Sequence, residues 1–511
     1  MSAWQFEGSE STRQVDFFFK SRKYAASTPH DWRDVLVLGE LTSSSVRVWN
    51  SKFLQLSVYM REVFVTQPLR RFVHGFILFE TKLQLWVFDR SGPMSTGFID
   101  IGENPEKLIY VITAYMLMSD DELGLVSNFV QEHDRTLIKV KEPETDNWLM
   151  LTLETFPFIV QQSIVSRGTT VYRGLYESFV VKISWRAMGR MSEVELLGKS
   201  RSICGVVTLI GSLDMEKISE LRDGLMFTKA MQREIQPDVS DVVVVDVNAS
   251  PKISNMSTTN SSLFYRDRLQ SIIASKPSVR AIGEDTSPLD LLCGLRYAIK
   301  GHRSLFLDAR ILHSDVSVNN IILTDPKILN SCYGSLIDLD LAMSLDNPNA
   351  AASSHILTWT MEFMALGIFR ANLTRISAGI KHSYRHDLES FFYGLVSTCI
   401  RFGWGDKKAT HLGLLGTWYK GTVQSMYNAK FTAIHVDSFE YNVLSGFSAK
   451  FECLKDVAKR MRASLFDRGF GFWLGKDHHP ETLYNPILLD LDLEIAKMKC
   501  EFCHSPEYCN I

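Results

Sequence analysis

The sequence predicts an α+β chain of more than one domain, and three observations carry that reading. Its 511 residues exceed what a single hydrophobic core usually holds. Period-two apolar alternation, mixed with helical spacing, recurs through residue 185. Long helical patterns then begin at residue 287 and again near residue 386.

Taken in order, DVLVLGEL (34–41) reads as a strand, and VRVWNSKFLQLSVYMREVFVTQ carries apolar residues at helical spacing. FVHGFILFETKLQLWVFDRSG is two strands around a turn at Glu80, Thr81 and Lys82. LIYVITAYMLM (108–118) is too short to span a bilayer and predicts a buried helix. SRGTTVYRGLYESFVVKISW (166–185) is again strand, turn, strand, and SEVELL puts Glu193 and Glu195 on a helix. Between DVVVVDV (241–247) and LFYRDRLQ, a run of Ser, Asn and Thr predicts a flexible surface loop. Leu289, Leu292, Leu295, Ile299 and His302 then share one helical face, with Ser287 as cap and Pro288 in the first turn. HDLESFFYGLVSTCIRF, apolar nearly all round, predicts a helix inside a large domain.

Composition narrows the functional classes. The chain is 45% hydrophobic and 22% charged, as soluble globular proteins are. Its 55 basic residues stand against 58 acidic ones, a net charge of −3, which makes no case for nucleic acid or a membrane surface as partner. The start, MSAWQFEGSESTRQ, lacks the basic and apolar regions of a secretory signal, so the expected location is cytoplasmic or nuclear. Cys204, Cys293, Cys332, Cys399 and Cys453 lie singly in apolar segments, as reduced core thiols do. Cys500, Cys503, His504 and Cys509 offer zinc-type ligands, but at a fraying chain end that is expected to be unstructured.

The chemistry gathers downstream of the residue-287 helix. ILHSDVSVNNIIL (311–323) sets His313, Asp315 and Asn320 in the form H-x-D-x-x-x-x-N, and SLIDLDLAM then closes an apolar run on Asp338. Upstream, Lys182 lies in a strand and Glu193 or Glu195 on the next helix. Singly these are ordinary surface or turn residues. Their order is what phosphoryl transfer from ATP requires. An ammonium binds the α- and β-phosphates and a carboxylate steadies it. A second carboxylate orients the acceptor hydroxyl, while an amide oxygen and a third carboxylate suit Mg²⁺, a hard cation.

With these parts in place, the chain resembles the fungal-type protein kinase family. WRDVLVLGEL, RRFVHGF, LWVFDRSG, SRGTTVY, VVKISW, HSDVSVNN, LIDLDLA, FMA and HSYRHDLESFFY carry the resemblance from about residue 30 to residue 430. It implies a two-lobed protein-kinase-like fold behind a mixed α/β N-terminal domain at 1–155. The N-lobe would span 156–250, the C-lobe 251–480, and a tail 481–511. It implies an ATP- and Mg²⁺-dependent enzyme that phosphorylates Ser or Thr of a protein substrate; no membrane partner is expected from the charge balance and the short apolar stretch at 108–118. Asp315 would be the catalytic carboxylate, Asn320 and Asp338 the Mg²⁺ ligands, and Lys182 the phosphate-binding lysine. Glu193 would partner Lys182, with Glu195 as its rival. Gly168, Thr169 and Thr170 would lie in the phosphate-covering turn, and Asp387 would anchor the catalytic loop.

Several positions depart from the pattern. Ser314 stands where Arg is usual, Trp359 where Gly is usual, Glu362 where Pro is common, and Gly367 where a structural Glu is expected. Two alternatives follow: a nucleotide-binding pseudokinase that acts by interaction, or a small-molecule kinase of the aminoglycoside or choline type. The N-terminal domain faintly resembles a nuclease core with D…E-x-K ligands, yet Thr42 occupies the Lys position after Glu40. A regulatory or scaffolding role is expected there, with Arg70, Arg71, Asp89 and Arg90 in buried or interface ion pairs.

Overall fold

The computed structural model describes residues 4–7, 14–20, 30–43, 49–126, 129–132, 135–223, 265–277, 280–324, 332–346, 361–373, 382–405, 412–468, 471–475 and 479–503. The 241–247 run, the Ser/Asn/Thr loop and Trp359 lie outside them. The chain divides into two units. One comprises Met1–Gly189, Ile210–Val239 and Pro251–Ala274, the other Arg190–Leu209, Ser240–Ser250 and Ser275–Ile511.

The first unit opens on a sheet whose strands run in chain order: β1 (Phe17–Lys20), β2 (Val35–Thr42), β3 (Phe72–Phe79), β4 (Lys82–Asp89) and β5 (Gly92–Ser95). β2 and β3 are parallel, joined through helix α1 (Trp49–Thr66), while β3 and β4 form the antiparallel hairpin expected around Glu80. Leu56, Tyr59, Met60, Val63 and Phe64 of α1 pack on Val35, Leu38, Ile77 and Trp86 of the sheet. Helix α2 (Pro105–Leu117) lies with the other face, where Tyr115 meets Val37 and Phe76. The expectation of a buried helix fails here. Ile109, Tyr110, Met116 and Leu117 are exposed, because only one stripe of so short a helix can reach the sheet.

The expected ion pairs are only partly present. Arg71 reaches Asp121 at 2.6 Å and Glu216 at 2.7 Å, and Asp89 takes both arms of Arg222 at 2.7 Å. Arg70 instead donates to the carbonyls of Val35, Leu36, Phe72 and Leu123, and Arg90 lies 4.3 Å from the Phe64 ring centroid. Backbone carbonyls thus take up Arg70, whereas Arg90 has one carbonyl, that of Ser163 at 3.0 Å, and the ring face, and its Nε and Nη2 are left without a hydrogen bond among the described residues.

Lys52, one turn into α1, places its ammonium 2.9 Å from Glu40, which is fully buried. Burial pushes the Glu40 carboxyl up to about 7, against the pull of Lys52. The folded state therefore holds this proton more tightly than the unfolded chain, so stability falls as pH rises from 4.5 to 7. The total is roughly 3 kcal/mol at most. In thermal melts across that window, Glu40→Gln is expected to flatten the slope of the first unit's transition.

A second sheet of this unit runs in the order β6 (Phe129–Glu132), β7 (Arg135–Lys141), β12 (Thr208–Lys217), β13 (Arg268–Lys276), β11 (Val180–Ala187), β10 (Thr170–Arg173) and β9 (Ile159–Val160). β8 (Trp148–Glu154) pairs with β7. Ile138, Val140, Leu153, Val181, Ile183 and Ile272 form its core.

The second unit is mostly helical. It includes α3 (Glu193–Lys199), α4 (Pro288–Leu307), α5 (Leu366–Leu373), α6 (Tyr384–Arg401), α7 (Val423–Ile434), α8 (Lys455–Phe466) and α9 (Glu481–Cys503). α4 starts as the sequence predicts, the Ser287 hydroxyl accepting from the Asp290 amide at 3.1 Å. α6 is buried from Tyr384 to Ile400. α9 covers α4 through Arg296–Asp492, Arg303–Glu481 and the His302–Tyr484 hydrogen bond. Cys500 and Cys503 fall on its last turns, while His504 and Cys509 lie outside the described residues.

One cysteine expectation is overturned. Cys204 and Cys332 form a disulfide with their Cα atoms 6.1 Å apart. The chain after α3 lies along the strand β15 (Gly334–Leu336), where the Leu336 amide donates to the Gly205 carbonyl. Proximity across 128 residues is a property of the fold, which single apolar surroundings in sequence do not reveal. Cys293 and Cys399 are buried as expected, whereas Cys453 is exposed.

Candidate active site

α4 ends at Leu307, and the chain enters the loop 313–320 through two buried residues, Ile311 and Leu312. His313 is fully buried and hydrogen-bonded to the Ile337 carbonyl at 3.1 Å, and burial lowers its pKa. Ser314 takes a left-handed conformation, φ 66°, and its amide donates to Asp387 Oδ2 at 3.1 Å. Such a conformation costs free energy and persists only where its surroundings fix it.

Asp387 does the fixing from the first turn of α6. Its Oδ2 also meets His302 Nε2 at 2.8 Å, and its Oδ1 meets His382 Nε2 at 2.6 Å. Burial by itself would raise this carboxyl. The charge of His382 and the hydrogen bonds from His302 and His382 outweigh it and hold the group well below the ordinary range. The anchor expected of Asp387 is thus present, with two histidine partners the sequence reading did not assign.

Asn320 donates its amide nitrogen to the Asp315 carbonyl at 2.8 Å and lies 3.5 Å from Asp315 Oδ2. Committing the nitrogen leaves the amide oxygen as its ligand atom. Asp315 itself is half-buried. Strand β14 (Ile321–Leu323) follows at once and pairs with β15, and Asp338 lies two residues beyond the end of β15. Asp338 is also left-handed, φ 65°.

Asp338, Asp340 and Glu193 bring one carboxylate oxygen each to within 4.8 Å of one another. All three are hard oxygen donors, which suits Mg²⁺ chemically. Glu193 is buried and accepts from the Leu339 amide at 3.1 Å. Its rival Glu195 is taken up by the helix terminus, in a reciprocal capping box with Ser192. Asp340, which the resemblance sets where the Gly of the metal-binding triplet is usual, was not expected as a ligand, although LIDLDLA puts it two residues from Asp338.

The phosphate-side residues belong to the first unit. Lys182 lies on β11 opposite Val171 of β10, half-buried on the face away from Val181 and Ile183. Gly168 is left-handed, φ 55°, and a Cβ there would fall 2.6 Å from Arg90 Nε. The Gly168 amide donates to the Ser166 hydroxyl at 3.0 Å and the Thr169 amide to Gln161 Oε1 at 3.2 Å. Thr170 is fully buried, its hydroxyl 3.4 Å from the Gly168 carbonyl. Two amides of the expected phosphate-covering turn are thus already engaged within the protein. Gly168→Ala is expected to lower stability by about 1–3 kcal/mol, from backbone strain and displacement of Arg90, as a urea midpoint shift would show.

On the acceptor side, Glu362 pairs with Arg401 at 2.7 Å and with the Ser397 hydroxyl. Gly367 has a structural cause: a Cβ there would come within 2.7 Å of His386 Nε2. The Glu expected at 367 has no room beside that ring.

The loop, its buried anchor and the strand followed by Asp338 are those of a protein-kinase-like chain. The sequence matches the family described as fungal protein kinase over residues 14–399, and the chain belongs to that family. Membership implies the two-lobed kinase-like fold and a phosphotransferase that uses ATP, a divalent metal and a protein substrate. No curated protein sequence matches the chain. The solved structure of vaccinia related kinase 3 is similar at a TM-score of 0.37 and 11% identity, over 77% of this chain and 96% of that one. A likeness that loose carries no argument. Among the described residues, no helix is long and apolar enough to cross a membrane.

Proposed function

We propose that this chain transfers the γ-phosphoryl group of ATP to Ser or Thr of a protein substrate, with Mg²⁺ as the metal. The observation that carries the reading is the locked loop: Asp387 holds the Ser314 amide, and Asn320 holds the Asp315 carbonyl. Together they set the Asp315 carboxylate before any substrate arrives, which is how positioning lowers a barrier. Asp315 orients the acceptor hydroxyl and takes its proton as the oxygen bonds the γ-phosphorus, while the bond from that phosphorus to the bridging oxygen breaks and ADP leaves. Asn320 and Asp338, with Asp340 beside Asp338, hold Mg²⁺, and Lys182 binds the phosphates. Bound ATP and Mg²⁺ supply the phosphoryl group and neutralise its charge.

We further propose that residues 1–155 regulate the enzyme or recruit its substrate, and that it acts in the cytoplasm or nucleus. A second reading, the nucleotide-binding pseudokinase, is favoured by the engaged amides of Gly168 and Thr169. Labelled ATP with Mg²⁺, offered a mixed protein substrate and, in a parallel reaction, aminoglycoside and choline as small acceptors, separates the readings. Label on protein Ser or Thr supports the proposal, label on a small acceptor supports a metabolite kinase, and nucleotide binding without transfer supports the pseudokinase.

A further inference from the structure

Gly367 leaves the acceptor-side segment 361–368 without the carboxylate that the family pattern expects to pin it. The segment is nevertheless tightly held, and what holds it is a buried lysine. Lys430 lies on α7 with no solvent exposure, and its Nζ donates to three carbonyls of that segment. They are Met361 at 3.3 Å, Glu362 at 2.6 Å and Met364 at 3.0 Å. The ammonium sits 4.1 Å from the Tyr393 ring centroid and 5.4 Å from those of Trp418 and Phe369. Its three N–H donors thus match three acceptors, with ring faces on the remaining sides.

A second contact completes the hold. Glu389 of α6 accepts from the Leu366 amide at 2.7 Å. Arg385, at 2.7 Å, and the Tyr393 hydroxyl, at 2.7 Å, keep that carboxylate in place. Ser390 adds a bond to the Phe363 carbonyl at 2.8 Å. The backbone of 361–366 is therefore gripped on its carbonyls by a cation and on an amide by an anion.

We propose that Lys430 is the positioning residue that holds the acceptor-binding segment, replacing the carboxylate excluded at Gly367. The role rests on the kinase reading above, but the anchor can be tested apart from catalysis. Burial lowers the Lys430 pKa to about 7, against the opposing charges of Glu389 and Glu362, which are themselves paired with Arg385 and Arg401. The neutral amine has two N–H donors for three carbonyls, so the grip weakens as pH rises through that value.

The test is hydrogen–deuterium exchange on the full chain, read at residues 361–373, alongside steady-state kinetics. In Lys430→Met, exchange of 361–373 is expected to rise roughly tenfold or more, as for loss of a charge-assisted hydrogen bond. α4 should stay protected, and KM for the protein acceptor should rise roughly tenfold while KM for ATP holds. In the unsubstituted chain, exchange of 361–373, corrected for intrinsic rate, should rise relative to α6 between pH 6 and pH 8.5. That arm needs no variant and decides the matter if Lys430→Met does not fold. The proposal is overturned if 361–373 stays protected in the folded variant, if α4 loosens equally, or if the pH arm shows no change. A wild-type chain that transfers no phosphoryl group defeats the kinase reading alone, because the exchange result stands apart from it.

Discussion

Asp315→Asn is expected to lower phosphoryl transfer by roughly a hundred- to ten-thousand-fold while leaving nucleotide binding and the fold intact. The substitution keeps the shape of the side chain and the Asn320 bond to the Asp315 carbonyl, which is a backbone contact. What it removes is the charge that orients the acceptor hydroxyl and takes its proton. Transfer from labelled ATP, run beside the wild type, is the measurement. Equal rates in the two proteins would mean that another group serves the hydroxyl or that the activity is a contaminant.

Asp387→Ala carries the other large effect, and there it falls on stability as well as rate. The substitution strips the Ser314 amide, His302 and His382 of their common partner inside the second unit. Breaking a buried charged cluster in this way costs about 3–5 kcal/mol. The left-handed Ser314 then keeps only its hydroxyl bond to the Leu312 carbonyl and loses the one that fixes its amide, so residual transfer should fall further than the loss of folded protein explains. Urea unfolding of wild type and variant reads the first effect, and activity per folded molecule the second. The pH dependence has a definite sign. The folded carboxyl lies below its ordinary 3.8, so its contribution is present above that value and is lost as pH falls through and below it. The variant should lack this acid-dependent loss.

Much of the site was legible in the sequence because its chemistry is local. Asp315 and Asn320 fall within one loop, and one strand is enough to deliver Asp338. Helix α4 was legible for the same reason: Ser287 caps it and Pro288 starts it within its own first turn. The different surroundings of Glu193 and Glu195 were not read from the sequence. Ser192 binds Glu195 into the cap, while Glu193 accepts from the Leu339 amide, 146 residues away in the chain. Helix α2 was read correctly as a helix and wrongly as buried, because apolar content says nothing about whether a neighbouring layer exists.

By itself, then, the sequence determined which residue types stand in which order, and with them the kinase-like class, since turns, caps and motif spacings are short-range. Only the tertiary structure decided the rest. Cys204 met Cys332, Asp387 met two histidines and a loop amide, and Lys430 took three carbonyls beside a glycine where a carboxylate was expected. Those contacts join residues far apart in the chain, and their strength comes from burial, which removes competing water and leaves each polar group dependent on the partner that the fold supplies.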